Sequence, residues 1–142
     1  MNILKKGGEP VRFDKRFVLI AHYSIEFRCC LRVALEERGY EVDFAEDSEE
    51  ISRSLFSGHP PDVVVLSVSL PRKSGVEFAQ EFRAIKPVGR AVKFMIVADV
   101  IPAEPKRQEL LGCCDALIAR PMFDSAPHRV VACIGEMCSQ SK

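Results

Sequence analysis

The sequence predicts an α/β fold: a parallel sheet of five strands with helices on both faces. Three observations carry that expectation. Short apolar runs alternate with amphipathic stretches along the whole chain. The run Val63-Val64-Val65-Leu66 contains no polar residue, as in a strand covered on both faces. Glycines and prolines punctuate the boundaries between these stretches, as at Gly39, Gly58, Pro71 and Gly112.

Taken in order, residues 1–15 form a flexible N-terminal extension around Lys5-Lys6-Gly7-Gly8-Glu9-Pro10, with an extra strand near Val11–Phe13. Phe17–Ala21 is the first buried strand, and His22-Tyr23-Ser24 is the loop after it. Ser24 is placed to cap a helix whose apolar stripe is Phe27, Cys30, Leu31, Ala34 and Leu35. Gly39 ends that helix as a left-handed cap. Tyr40, Val42 and Phe44 alternate with polar residues, which suits an edge strand. Asp47 and Glu50 are spaced as a capping box for a short helix anchored by Ile51 and Leu55.

Val63–Ser67 is the central strand. Ser74-Gly75-Val76-Glu77 is a second capping box, and Phe78, Phe82 and Ile85 form the buried side of the helix it opens. Pro87 and Gly89 break that helix. Lys93–Ala98 is the fourth strand. Pro102 and Pro105 restrict the next helix to about Glu104–Leu111, because an interior proline costs about 3 kcal/mol. Ala116–Ala119 is the fifth strand. Asp124 or Ser125 caps a last helix with Pro127 in its first turn and Val130, Val131, Ile134 and Met137 inward. One domain thus covers 16–138, followed by a polar tail at 139–142.

The 142 residues suit a single core. Lysine and arginine balance aspartate and glutamate at twenty each, which gives no electrostatic case for nucleic acid or an anionic membrane. No apolar run approaches the roughly 20 residues that span a bilayer. The basic N-terminus lacks the apolar core of a secretory signal. Six cysteines fall as Cys29-Cys30, Cys113-Cys114, Cys133 and Cys138, without metal-site spacing. They read as small hydrophobes and a few exposed thiols in a reducing cytoplasm.

The order and spacing of these elements resemble the receiver domain of two-component response regulators, over about Arg16 to Met137. Leu66-Ser67-Val68-Ser69-Leu70-Pro71-Arg72-Lys73-Ser74-Gly75 is similar to that family's phosphoacceptor strand and loop. Arg120-Pro121-Met122-Phe123-Asp124 resembles its Lys-Pro-Phe-Asp signature, and Gly112-Cys113-Cys114-Asp115 stands where it has Ala-Gly-Ala-Asp. Gly39-Tyr40-Glu41-Val42 matches its turn into the second strand. The resemblance implies a flavodoxin-like doubly wound sheet with strand order 2-1-3-4-5.

The positions that carry the family's chemistry are all altered. The resemblance places two acids at what are here His22 and Tyr23, and the phosphorylated aspartate at Ser67. Its Thr or Ser is Ala98, its lysine Arg120, and its aromatic switch residue Leu117. Mg²⁺ prefers hard carboxylate oxygens, which His22, Tyr23 and Ser67 do not offer, so no Mg²⁺ or other cofactor is expected. A serine hydroxyl without an adjacent base is a poor nucleophile. The resemblance therefore implies a pseudo-receiver that signals without phosphorylation, as a protein–protein interaction module in a cytoplasmic regulatory assembly.

The family's usual docking face is its fourth helix, fifth strand and fifth helix. The candidates there are Lys106, Arg107, Leu110, Leu117, Arg129 and Cys133, offered to a protein partner or a second copy of the chain. Two other function classes remain open. Arg120 with His22, Tyr23 and Ser67 could hold a small anion or metabolite, since guanidinium suits phosphate and carboxylate. Ser67, His22 and Asp99 invite a hydrolase reading, but no nucleophile-elbow glycines flank Ser67. His59 and His128 read as surface residues, and Arg32 pairs with Glu36 along a solvated helix face.

Overall fold

The computed structural model describes residues 16–70, 73–83 and 92–139. Five strands, β1 (Phe17–Ala21), β2 (Glu41–Phe44), β3 (Val63–Ser67), β4 (Lys93–Ala98) and β5 (Ala116–Ala119), form one sheet. All neighbouring pairs are parallel, in the order β2-β1-β3-β4-β5. Between them run α1 (Ile25–Glu36), α2 (Ser48–Leu55), α3 (Gly75–Arg83) and α4 (Lys106–Gly112). After β5 come α5 (Arg120–Ser125) and α6 (Pro127–Ser139).

Strand alternation divides the interior into two cores. Val18, Ile20, Val63, Val65, Met95 and Val97 face α1 and α6, where Phe27, Leu31, Leu35, Val130 and Ile134 meet them. Leu19, Ala21, Val64, Leu66, Phe94 and Ile96 face the other way, onto Ile51 and Leu55 of α2 and Phe78 and Phe82 of α3. Every residue of β3 is buried. Each of its large side chains contributes about 1.5–3 kcal/mol through burial. β2 is half-exposed, with Val42 and Phe44 inward, as its alternation predicts.

The starts of the first three helices follow the predicted chemistry. Ser24 Oγ accepts the Phe27 N–H at 3.2 Å. Asp47 accepts the Glu50 N–H at 3.0 Å, while the Glu50 carboxylate takes the N–H of Glu46 at 2.7 Å, one residue before the cap. At α3 both legs of the box form: Glu77 N–H to Ser74 Oγ at 3.1 Å and Ser74 N–H to Glu77 Oε1 at 3.4 Å. Gly39 has φ +92°, the left-handed conformation expected after α1. The pair Arg32 Nε to Glu36 Oε2 closes at 3.1 Å.

Several expectations need correction. Cys30 is exposed rather than inward, because 100° per residue turns it away from Phe27 and Leu31. The first helix stops at Glu36, three residues before Gly39, and the fourth starts at Lys106 rather than Glu104, after Pro105 as its cap residue. The chain also turns once more than five helices require, since Arg120–Ser125 is helical ahead of α6, and Asp124 and Ser125 lie inside that helix rather than capping the last one. Leu110 is 2 % exposed, so on the suggested docking face it offers a partner almost no surface. The expectations for residues 1–15, Pro71, Arg72, Ile85, Pro87, Gly89 and the end of the tail fall outside the described residues.

All six cysteines are free: Cys29 and Cys30 exposed, Cys113 and Cys138 buried, Cys114 and Cys133 between. Burial pushes the last four thiols above their usual pKa, Cys114 to about 11.

One close approach sets the position of α3. The Gly75 N–H donates to Val68 O at 3.0 Å. A β-carbon on Gly75 would lie 2.1 Å from the Ser67 carbonyl oxygen, so only glycine lets α3 start against the end of β3. Gly75→Ala is expected to cost about 2–3 kcal/mol as overpacking against backbone. A urea midpoint measured by circular dichroism checks this, and an unchanged midpoint would refute it.

Candidate functional site

The carboxyl ends of β1, β3, β4 and β5 converge at one edge of the sheet, where ligands of open parallel sheets gather. The chain places His22, Ser67, Ala98 and Arg120 directly at or after those ends. Ser67 is 1 % exposed, and its Oγ accepts the Ser69 N–H at 3.2 Å. Ala98 is 5 % exposed and pairs in register with Ala119. Leu117 is half-buried against the core that includes Phe94 and Ile96. Arg120 has Asp124 as its nearest acid, Nε to Oδ2 at 4.0 Å.

His22 is buried between two rings, stacked on Tyr23 at 4.5 Å and on Phe27 at 4.2 Å between centroids. Its Nδ1 accepts the Ser24 N–H at 3.0 Å, which puts the proton of the neutral ring on Nε2. Nε2 is buried without a hydrogen-bond partner. Burial, reinforced by the nearby Arg120 cation and partly opposed by Asp99, lowers its pKa to about 4. The ring is therefore an uncharged donor at neutral pH.

The sequence gives no sign of the contact that crosses this edge. The Tyr23 hydroxyl donates to the Asp99 carboxylate, with Oη 2.7 Å from Oδ1 and 2.8 Å from Oδ2. That bond raises the Tyr23 pKa above its ordinary value. Tyr23 follows β1 and Asp99 follows β4, and β3 lies between those strands. The pair thus straps across the end of β3, over the strand that bears Ser67. Residues 76 positions apart on non-adjacent strands leave no local pattern to read.

This wiring settles which of the suggested groupings assemble. The Ser-His-Asp relay does not: His22 Nδ1 is occupied by Ser24, Asp99 by Tyr23, and Ser67 accepts from backbone. His22, Tyr23 and Ser67 offer no carboxylate to Mg²⁺, the ion the receiver resemblance would bring. Among the described residues no three His, Cys, Asp or Glu side chains gather to hold a metal. The only carboxylate the strap involves, Asp99, already accepts from a phenol. On the suggested docking face Lys106, Arg107 and Arg129 are exposed, and Cys133 is half-buried against the α1–α6 core. Lys106 and Arg107 are held by Glu109 at 3.5 Å and Glu104 at 2.6 Å.

No family model matches the chain. Among curated relatives, the response regulator MprA of Mycobacterium sp. (strain KMS) is 27 % identical over 135 residues, covering 83 % of this chain and 55 % of that protein. The transcriptional regulatory protein PdtaR of Mycobacterium tuberculosis is 38 % identical over 76 residues, 51 % of this chain and 37 % of that one. The chain therefore spans about half or less of these relatives. In structure it matches a CheY-like response regulator receiver domain protein from Methanospirillum hungatei with a TM-score of 0.72. Identity there is 19 %, with 90 % of this chain and 97 % of that one covered. The Francisella response regulator 1452 receiver domain gives 0.74 at 19 % identity, covering 90 % and 100 %.

The fold is that of a response-regulator receiver domain. At the carboxyl-end edge of that fold this chain carries His22, Tyr23, Ser67, Ala98 and Arg120.

The His22 environment makes stability fall in acid. Its folded pKa of about 4 lies below the ordinary 6.5 of an exposed ring. Between those values the unfolded chain binds the extra proton and the folded chain does not, so stability drops as pH falls through that window. The loss approaches about 3 kcal/mol by pH 4, at about 1.36 kcal/mol per pKa unit. His22→Phe keeps the ring stack and removes the titration. Urea midpoints at pH 7 and pH 4.5 are expected to diverge less in the variant than in the parent chain; equal pH dependence would refute this account.

Proposed function

We propose that this chain is a signalling module on a receiver fold that works without phosphoryl transfer, through contacts with other proteins of a cytoplasmic regulatory assembly. The observation that carries the reading is Ser67. A receiver accepts its phosphoryl group on a carboxylate at this strand end, with a divalent cation to balance the charge. Here the strand ends in a buried hydroxyl already hydrogen-bonded to backbone. Neither the neutral His22 nor the tethered Asp99 supplies a base or a cation ligand to it. Ala98 has no hydroxyl to follow a phosphoryl group, and Leu117 has no ring to turn behind it. A phosphoryl signal would find no differential contacts through which to shift two states.

Incubation of the chain with acetyl phosphate, or with beryllofluoride, in millimolar Mg²⁺ tests this. Intact mass is expected to be unchanged, and amide spectra are expected to show no shift at Ser67 or Ala98. A stoichiometric adduct would overturn the reading.

A second reading rests on the unpartnered Nε2–H of His22, with the Arg120 cation near. Together they suit a small phosphate or carboxylate ligand. Thermal shifts with inorganic phosphate and with citrate, lost in Arg120→Gln, are the expected sign. No shift at millimolar concentration would exclude it.

A further inference from the structure

A cleft of about 730 Å³ opens between α3 and α4, beside the strap rather than beneath it. Its volume falls within the roughly 300–1,000 Å³ of ordinary ligand sites. Val68, Val76, Ala98, Pro102 and Leu110 give it an apolar lining. Val100, in the wall, is 78 % exposed, an unusual degree for a valine beside an apolar cleft.

Charge decides what suits this cleft. Four charged side chains line it: Glu77, Asp99, Glu109 and Lys106. Lys106 Nζ is 3.5 Å from Glu109 Oε1, so that pair largely cancels. Glu77 and Asp99 remain, one on the α3 side and one on the β4 side. Asp99 receives a single phenolic proton and keeps acceptor capacity on both oxygens. Glu77 makes a long capping contact of 3.4 Å.

An anion has little to hold here. The N–H groups at the start of α3 are already taken: Gly75 by Val68 O, Glu77 by Ser74 Oγ and Phe78 by Ser74 O. An anionic membrane surface would meet the two carboxylates.

We propose that the α3–α4 cleft is a docking groove for a short basic segment of a partner protein. Its aliphatic side chains lie on the Val68–Val76–Pro102 lining, and a Lys or Arg meets Glu77 and Asp99. The protein-interaction reading above supplies only the source of this ligand; the cleft and its charge stand independently. Because Asp99 belongs to both the cleft and the strap, a bound cation competes with Tyr23 for it. Occupancy of the cleft is thereby linked to the β1–α1 loop on the far side of β3.

The test is a bead-displayed heptapeptide library screened on the immobilised full chain, with hits titrated into the ¹⁵N-labelled protein. Selected peptides are expected to combine Lys or Arg with aliphatic residues and to shift the amides of Val68, Val76 and Val100, with a smaller shift at Tyr23. Glu77→Gln keeps its capping role and Asp99→Asn keeps its size. Together they are expected to weaken binding about tenfold, the combined worth of two exposed ion pairs. Raising NaCl from about 50 to about 500 mM is expected to weaken it as well. An acidic or absent consensus, shifts confined to another face, or affinity unmoved by the double variant would overturn the proposal. Should acetyl phosphate modify the chain while basic peptides still fill the cleft, only the phosphorylation-free reading falls. Should the chain resist modification and the library yield nothing, only the groove falls.

Discussion

Both cores depend on a single strand. β3 lies between β1 and β4 and gives Val63 and Val65 to one core and Val64 and Leu66 to the other. A one-residue slip of its register would send each set to the opposite side. Its amino end is pinned as well as its carboxyl end. Asp62, just before it, donates its N–H to Phe17 O at 2.8 Å and accepts the Phe17 N–H on its side chain at 2.9 Å. Asp115 does the same for β4 through Phe94. With the sheet fixed at that end, the geometry of the opposite edge is set by the chain itself rather than by any ligand.

The opposite edge holds a neutral His22, a buried Ser67 and the Tyr23–Asp99 pair. Where the receiver resemblance implies crowded carboxylates, His22 is stacked between aromatic rings and Ser67 is closed by a backbone N–H. Crowded acids repel one another and need a cation to offset the cost. The present arrangement carries no such debt. Instead one phenol–carboxylate bond, charge-assisted and short, joins two loops. The hydrogen bonds of His22 and Ser67 are local, and only the Tyr23–Asp99 bond spans the edge.

Much of the fold was legible because its signals are local. The boundaries of β1, β3, β4 and β5 follow from apolar runs, and the α3 capping box from four consecutive residues, Ser74 to Glu77. The extra helical turn at Arg120–Ser125 was not legible, since Pro121 reads as a break although a proline is tolerated in a first turn. Leu110 misled because its helix is short, with too few turns to show which side faces in. The site was legible as a set of substitutions but not as a structure. Its defining contact, Tyr23 to Asp99, depends on strand order, and strand order is a property of the whole sheet. The role of Gly75 was visible only as a helix start; the approach of Ser67 O explains why no side chain is tolerated there.

The strap also has a consequence in time. Loops on either side of a sheet's crevice ordinarily open and close on their own clocks. Here the segment after β1 and the segment after β4 hold opposite ends of one hydrogen bond. Neither can swing outward alone without leaving a phenol or a carboxylate to water. One exposed bond thus joins the positions of the two segments.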